Sequence, residues 1–196
     1  VMTLADVSPS GADALTQLGQ LHADVDARVQ AIRAEAPAWL CGKGCGGCCR
    51  RLAAVPQLTA TEWAFLQPAL AALPSAQLSA IARAMAQLAA HAARPVTCPL
   101  LDPASDACTV YAHRPVACRT YGFYAQRDKG FYCGDIVAQV AAGQLADVVW
   151  GNHDAIDQRL AQLGETRALT DWFARWQASA ALWGASPFVL KRLNYR

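Results

Sequence analysis

Four of the chain's eight cysteines fall within nine residues: Cys41, Cys45, Cys48 and Cys49, in the string Cys41-Gly-Lys-Gly-Cys45-Gly-Gly-Cys48-Cys49. Sulfurs this dense are comfortable only around a soft cation or when joined covalently, because thiolates repel one another. The intervening glycines let the backbone turn so that several sulfurs face one point. The string therefore predicts a metal-wrapping loop. A second set, Cys98, Cys108, Cys118 and Cys133, follows at wider separations in a stretch punctuated by Pro99, Asp102-Pro103 and Pro115. Tyr111, Tyr121, Phe123, Tyr124, Phe131 and Tyr132 surround it and supply an apolar shell of the kind that keeps water from a bound centre. All eight cysteines form the expected ligand pool.

Ligand chemistry leaves the metal open. Cys45-Gly-Gly-Cys48 has the two-residue spacing of a zinc knuckle, but a zinc ribbon needs a second such pair and the chain has none. Adjacent Cys48 and Cys49 are expected to point apart, which suits a polynuclear centre or two neighbouring sites. All-sulfur ligation fits an iron–sulfur cluster, although the spacing is not that of the bacterial ferredoxin run. Softness and spacing thus rank iron first, as an iron–sulfur centre, zinc second and copper(I) third. Disulfides are the competing account, since the cysteine count is even. Three features oppose it. The cysteines cluster, Val1 to Leu21 lacks the basic start and apolar run of a secretory leader, and the apolar content suffices for a core without staples.

Four blocks in this order resemble the zinc- or iron-chelating cysteine-cluster proteins, also called YkgJ-like. They are Cys45 to Cys49 with Cys41 before them, Cys98-Pro99-Leu100-Leu101, Cys108-Thr109-Val110-Tyr111, and Arg114-Pro115-Val116-Ala117-Cys118-Arg119. These match a CxxCxxCC-type opening followed by Cys-Pro-phi-Leu, Cys-x-Val/Ile-Tyr and Arg-Pro-x-x-Cys-Arg steps. The resemblance covers residues 41–134 and implies metal chelation. A flagellin lysine methylating enzyme contains a domain resembling this family. That gives some support to an enzymatic alternative, because Cys41-x3-Cys45-x2-Cys48 is also the spacing with which radical S-adenosylmethionine enzymes hold a [4Fe–4S] cluster. A methyl transferase or oxidoreductase of that type needs a βα barrel, however, and Cys49 is out of pattern. A third alternative is an interaction module in which zinc only folds two loops.

The elements that must position these sulfurs read as helices. Leu15, Leu18, Leu21, Val25, Val29 and Ile32 share one face of a helix over 11–36 that stops before Pro37. Thr59 and Glu62 form a capping-box pattern opening a helix through Trp63 and Leu66, which Pro68 ends or kinks. Ser75 caps a helix holding Leu78, Ile81, Met85 and Leu88. Ile136, Val137 and Val140 mark another, and Ile156, Leu160 and Leu163 the next. Thr170 opens a last one, with Trp172, Phe173, Trp176 and Leu182 as core candidates and Trp183 in the same series as core or dimer interface. No six-residue stretch alternates as a strand should. The expected fold is mainly α: a single helical domain, 1–196, whose flanking helices over 11–36 and 135–183 frame two cysteine-bearing loops at roughly 41–56 and 95–134.

Composition narrows the partners. The formal net charge of +2 is too small to argue for nucleic acid, and eight thiolates around two divalent ions would turn it to −2. Lys43, Arg50, Arg51, Arg114 and Arg119 adjoin cysteines and are expected to offset sulfur charge. Arg114 and Arg119 are the residues expected to orient the second loop and to hydrogen-bond sulfur or backbone carbonyls. Charged residues make up only 16%, against about 25% in ordinary domains, so some apolar surface is expected to meet a partner, a second copy of the chain being one candidate. The most apolar stretch, Ser75 to Ala93, is interrupted by Gln77, Arg83, Gln87 and His91, which argues against a membrane span and for a cytoplasmic protein. His113, midway between Cys108 and Cys118, is a lesser ligand candidate; His22 reads as a boundary residue. His153 reads as part of a helix start capped by Asn152 or Asp154.

Overall fold

A computed structural model describes residues 11–91, 93–127 and 129–182. Its order is α1 (Gly11–Glu35), α2 (Gly47–Arg50), β1 (Gln57–Thr59), α3 (Ala60–Ala71), α4 (Ser75–Ala90), β2 (Leu101–Asp102), β3 (Ala107–Cys108), a 3-10 turn (Tyr111–His113), α5 (Val116–Thr120), β4 (Tyr124–Gln126), β5 (Lys129–Gly130), α6 (Gly134–Ala141), β6 (Gly151–Asn152), α7 (His153–Leu160), β7 (Thr166–Ala168) and α8 (Leu169–Leu182). The fold is mainly α, and no strand among the described residues exceeds three residues. β1 pairs with β7. No described helix is long and apolar enough to cross a membrane. The described residues gather into two compact units, one built from 11–39, Thr59–Glu62 and Val116–Thr166, the other from Leu40–Leu58, Trp63–Pro115 and 167–182.

The first unit is organised by α1. Leu18, Leu21, Val25 and Ile32 are buried, as the 3.6-residue period predicts, while Leu15 is exposed and Val29 half-buried. α5 packs on α1, and Arg119 of α5 holds Asp26 of α1 at 3.0 Å. Arg159 of α7 reaches Asp24 at 2.7 Å and holds that carboxyl below its ordinary pKa. β4 lies between antiparallel β5 and parallel β6, with Ala125 opposite Gly130 and Tyr124 opposite Gly151. Gly151 is required there, because a β-carbon would run into the Tyr124 ring. Trp39 stacks on Phe123 with ring centroids 5.4 Å apart and meets Trp150 at 5.3 Å.

Two local signals were legible as capping. Thr59 N donates to Glu62 Oε2 at 2.8 Å and Glu62 N to Thr59 Oγ1 at 3.2 Å, a complete capping box. Asn152 Oδ1 accepts from Asp154 N at 3.0 Å and Ala155 N at 3.4 Å, opening α7. Asn152→Ala should therefore cost about 1 kcal/mol of stability in urea unfolding. An unchanged midpoint would show that water serves these amides equally well.

The second unit buries Leu66, Leu70, Leu78, Ile81, Met85, Trp172, Phe173 and Trp176. α4 packs against α8. Trp63 lies 6.2 Å from both Trp172 and Trp176, and Trp172 Nε1 donates to Leu58 O at 2.9 Å. Trp172 and Trp176 are thus core. The Leu182 side chain and Trp183 lie outside the described residues. Two expectations need correction. Of the two outcomes expected at Pro68, the helix end is overturned, since α3 continues to Ala71: the ring removes a single N–H donor and the last turn closes without it. Ser75 does not cap α4; it is the first helical residue, with Pro74 in the cap position and no side-chain cap bond.

Candidate metal centre

Six of the eight cysteines lie in the second unit, on two short pieces of chain. Cys41, Cys45, Cys48 and Cys49 belong to the glycine loop and α2. Cys98 and Cys108 belong to the β2–β3 hairpin, where Leu101 faces Cys108 and Asp102 faces Ala107. Leu101 N donates back to Cys98 O at 3.1 Å, so a tight turn delivers Cys98 to the hairpin base. The hairpin turn is fixed by Asp102, whose carboxylate accepts from Ala104 N at 3.0 Å and Ser105 Oγ at 2.6 Å.

Backbone bonds bring the two pieces together. Cys98 N donates to Cys49 O at 2.7 Å, and Leu52 and Val96 exchange both backbone bonds at 2.9 Å. Cys48 Sγ and Cys49 Sγ stand 4.0 Å apart. This corrects the expectation that adjacent cysteines point apart: the single turn of α2 and the rotamers adopted turn both sulfurs the same way. The spacing is far beyond a disulfide's roughly 2 Å. It is close to the edge of about 3.8 Å for a tetrahedron of sulfurs each about 2.3 Å from zinc. No disulfide links any of the eight cysteines.

Burial and neighbouring sulfurs together keep Cys48 and Cys49 protonated. The hydrogen bond from Cys49, followed by burial, pushes the Cys48 thiol well above its ordinary pKa. At Cys49 the bond from Cys48 lowers the pKa, but the bond to Cys98, burial and the nearby Cys98 charge outweigh it, and the thiol is pushed up to about 11. Burial raises Cys108 as well, and the neighbouring Arg114 charge opposes that rise. Arg114 Cζ lies over the Tyr111 ring, 3.5 Å from its centroid, and Arg114 Nε donates to Tyr111 O at 3.0 Å. Lys43 Nζ sits 5.5 Å from the centroid of the same ring.

Cys118 on α5 and Cys133, the residue before α6, belong to the first unit. Arg119 holds the Asp26 carboxylate. The His113 ring packs on Phe65 at 4.8 Å. Cys45 is the exposed member of the eight; the other seven are half-buried. Among the described residues no three His, Cys, Asp or Glu side chains form a finished ligand set. Cys49 meets both Cys48 and Cys98 through its thiol, a weak S–H donor and acceptor. Soft, half-buried sulfurs on converging segments, one pair already near a ligand–ligand spacing, fit a soft metal.

Asp106 had not been singled out in the sequence. It precedes β3 with φ of +53°, in the left-handed region where Asp is enriched, and it pairs with Arg50 of α2. An Asp four residues after Asp102 and two before a cysteine was the available signal.

Residues 40–136, just under half of the chain, match a family model described as "CxxCxxCC: Putative zinc- or iron-chelating domain". No curated protein and no solved structure matches the chain.

Proposed function

Residues 40–136 belong to the CxxCxxCC family of zinc- or iron-chelating domains, and from that premise we propose that the chain holds one zinc or iron ion on the sulfurs of Cys48, Cys49, Cys98 and Cys108. The observation that carries this choice among the six cysteines of the unit is the contact of Cys48 with Cys49 at 4.0 Å beside the Cys98–Cys49 backbone bond of 2.7 Å. Cys41 and Cys45, on the glycine loop, are the reserve ligands.

Each sulfur must lose its proton to ligate, so binding releases protons and is favoured by rising pH. Four thiolates on a divalent ion leave an excess of negative charge. Arg114, fixed by Tyr111 on two sides, supplies positive charge beside Cys49 and Cys108, and Lys43 adds to it at the Tyr111 ring. When bound, zinc supplies a redox-inert cross-link between the two chain segments, whereas iron adds one-electron exchange.

A second reading keeps an iron–sulfur cluster, favoured by the surplus of sulfurs over the four that one ion needs. Anaerobic purification with measurement of zinc, iron and acid-labile sulfide separates the two. About one equivalent of zinc or iron without sulfide is the expected result; stoichiometric sulfide would move the assignment to the cluster, and absence of all metals would reject both. Enzymatic use of such a cluster would require S-adenosylmethionine binding, which calorimetry tests directly.

A further inference from the structure

The β2–β3 hairpin touches α2 at both of its ends. At the base, Cys98 N bonds Cys49 O. At the tip, Asp106 pairs with Arg50, which follows Cys49 directly. The tip also rests against bare backbone: a β-carbon built on Gly46, the residue before α2, would stand 2.6 Å from Asp106 Oδ1 and 3.2 Å from Asp106 O. Only glycine admits that approach without a shift. The base contact fixes Cys98 but does not reach the hairpin tip. Cys108 lies up the hairpin, two residues from Asp106.

We propose that Asp106 is a positioning residue: with Arg50 and the Gly46 backbone it latches the hairpin tip to α2 and so holds Cys108 beside Cys48 and Cys49 before any metal arrives. The inference rests on the chelation reading above for its consequence, but the latch itself is a property of the metal-free chain. An exposed ion pair contributes little to global stability, because water and salt screen it. Its leverage lies in preorganisation. A ligand left free to swing must be ordered at the moment of binding, and loss of such outer contacts typically costs about tenfold or more in metal affinity. Asp suits the position twice over, since it tolerates φ of +53° and carries the charge.

The test uses Arg50→Gln, Asp106→Asn, the double variant and the charge swap Arg50→Asp/Asp106→Arg. Asp106→Asn keeps the left-handed preference and removes only the charge. In chelator-treated protein the alkylation rate of Cys108 by iodoacetamide should rise about threefold in either single variant, with Cys118 as the unchanged internal reference. Zinc affinity, read by competition with a chromophoric chelator, should fall about tenfold in each single variant and no further in the double. The swap should recover part of it, and salt near 1 M should bring the unsubstituted protein toward the variants. Unchanged Cys108 reactivity would overturn the latch whether or not metal binds. Additive losses in the double variant would overturn the pairing. Failure of the unsubstituted chain to bind zinc or iron would instead sink the chelation reading, while the Cys108 rates still decide the latch.

Discussion

Cys49→Ser should abolish stoichiometric metal binding, weakening affinity by at least about 100-fold. Cys49 is the pivot of the sulfur set: its Sγ lies 4.0 Å from Cys48 Sγ, its carbonyl accepts from Cys98 N at 2.7 Å, and its thiol bonds Cys98. Serine retains the backbone bond and nearly the same volume but offers a hard oxygen that stays protonated at neutral pH. The loss therefore reports ligation and not collapse of the fold. Elemental analysis of purified Cys49→Ser beside the unsubstituted protein checks it. Equal metal content in Cys49→Ser and the unsubstituted protein would remove Cys49 from the ligand set.

The same thiols set a pH dependence with opposite signs for the metal-free and metal-loaded protein. In the folded chain Cys49 titrates at about 11, and Cys48 and Cys108 are also raised. In the unfolded chain they titrate near 8.5. Between those values the unfolded state has lost protons that the folded state keeps. Stability of the metal-free protein is thus fully present below about pH 8.5 and falls as pH rises toward about 11. Metal binding runs the other way, because the ligands must be deprotonated. The gap between melting temperatures of loaded and chelator-treated protein should widen from pH 7 to pH 9.5. A constant gap would mean that thiol protons are not displaced by metal.

How much of this was visible in the sequence follows from the range of the forces involved. α1 was legible because burial of Leu18, Leu21, Val25 and Ile32 is periodic and Pro37 follows the last turn. The Thr59–Glu62 box and the Asn152 cap were legible because capping is local. The strands were not, since pieces of two or three residues carry no alternation. The cysteine blocks announced a metal, but which sulfurs meet depends on contacts across some 50 residues, such as Cys49 with Cys98 and Arg50 with Asp106. The Cys48–Cys49 contact depends on rotamers inside one helical turn, which spacing does not specify.

Glu62→Ala should destabilise the protein by about 3 kcal/mol, an effect far beyond that of losing a surface cap. Glu62 is buried, and its carboxylate serves three donors. Oε2 accepts from Thr59 N at 2.8 Å and Thr59 Oγ1 at 3.0 Å, and Oε1 accepts from Val116 N at 2.8 Å. The sequence announced the first of these and gave no hint of the last, 54 positions away. Val116 opens α5, whose Cys118 and Arg119 follow within a turn, so one side chain ties the capping box to that helix. Thr59 and Val116 are themselves buried, and alanine would leave both backbone N–H groups without water or partner. Glu62→Gln is the sharper control. Its amide keeps the shape but offers one acceptor oxygen, so an NH2 must face either Thr59 N–H or Val116 N–H; a loss of about 1–2 kcal/mol follows. Urea unfolding of the three proteins tests the ordering. If Glu62→Ala fell within about 0.5 kcal/mol of the unsubstituted chain, as exposed substitutions do, the carboxylate would not be the clasp of the first unit.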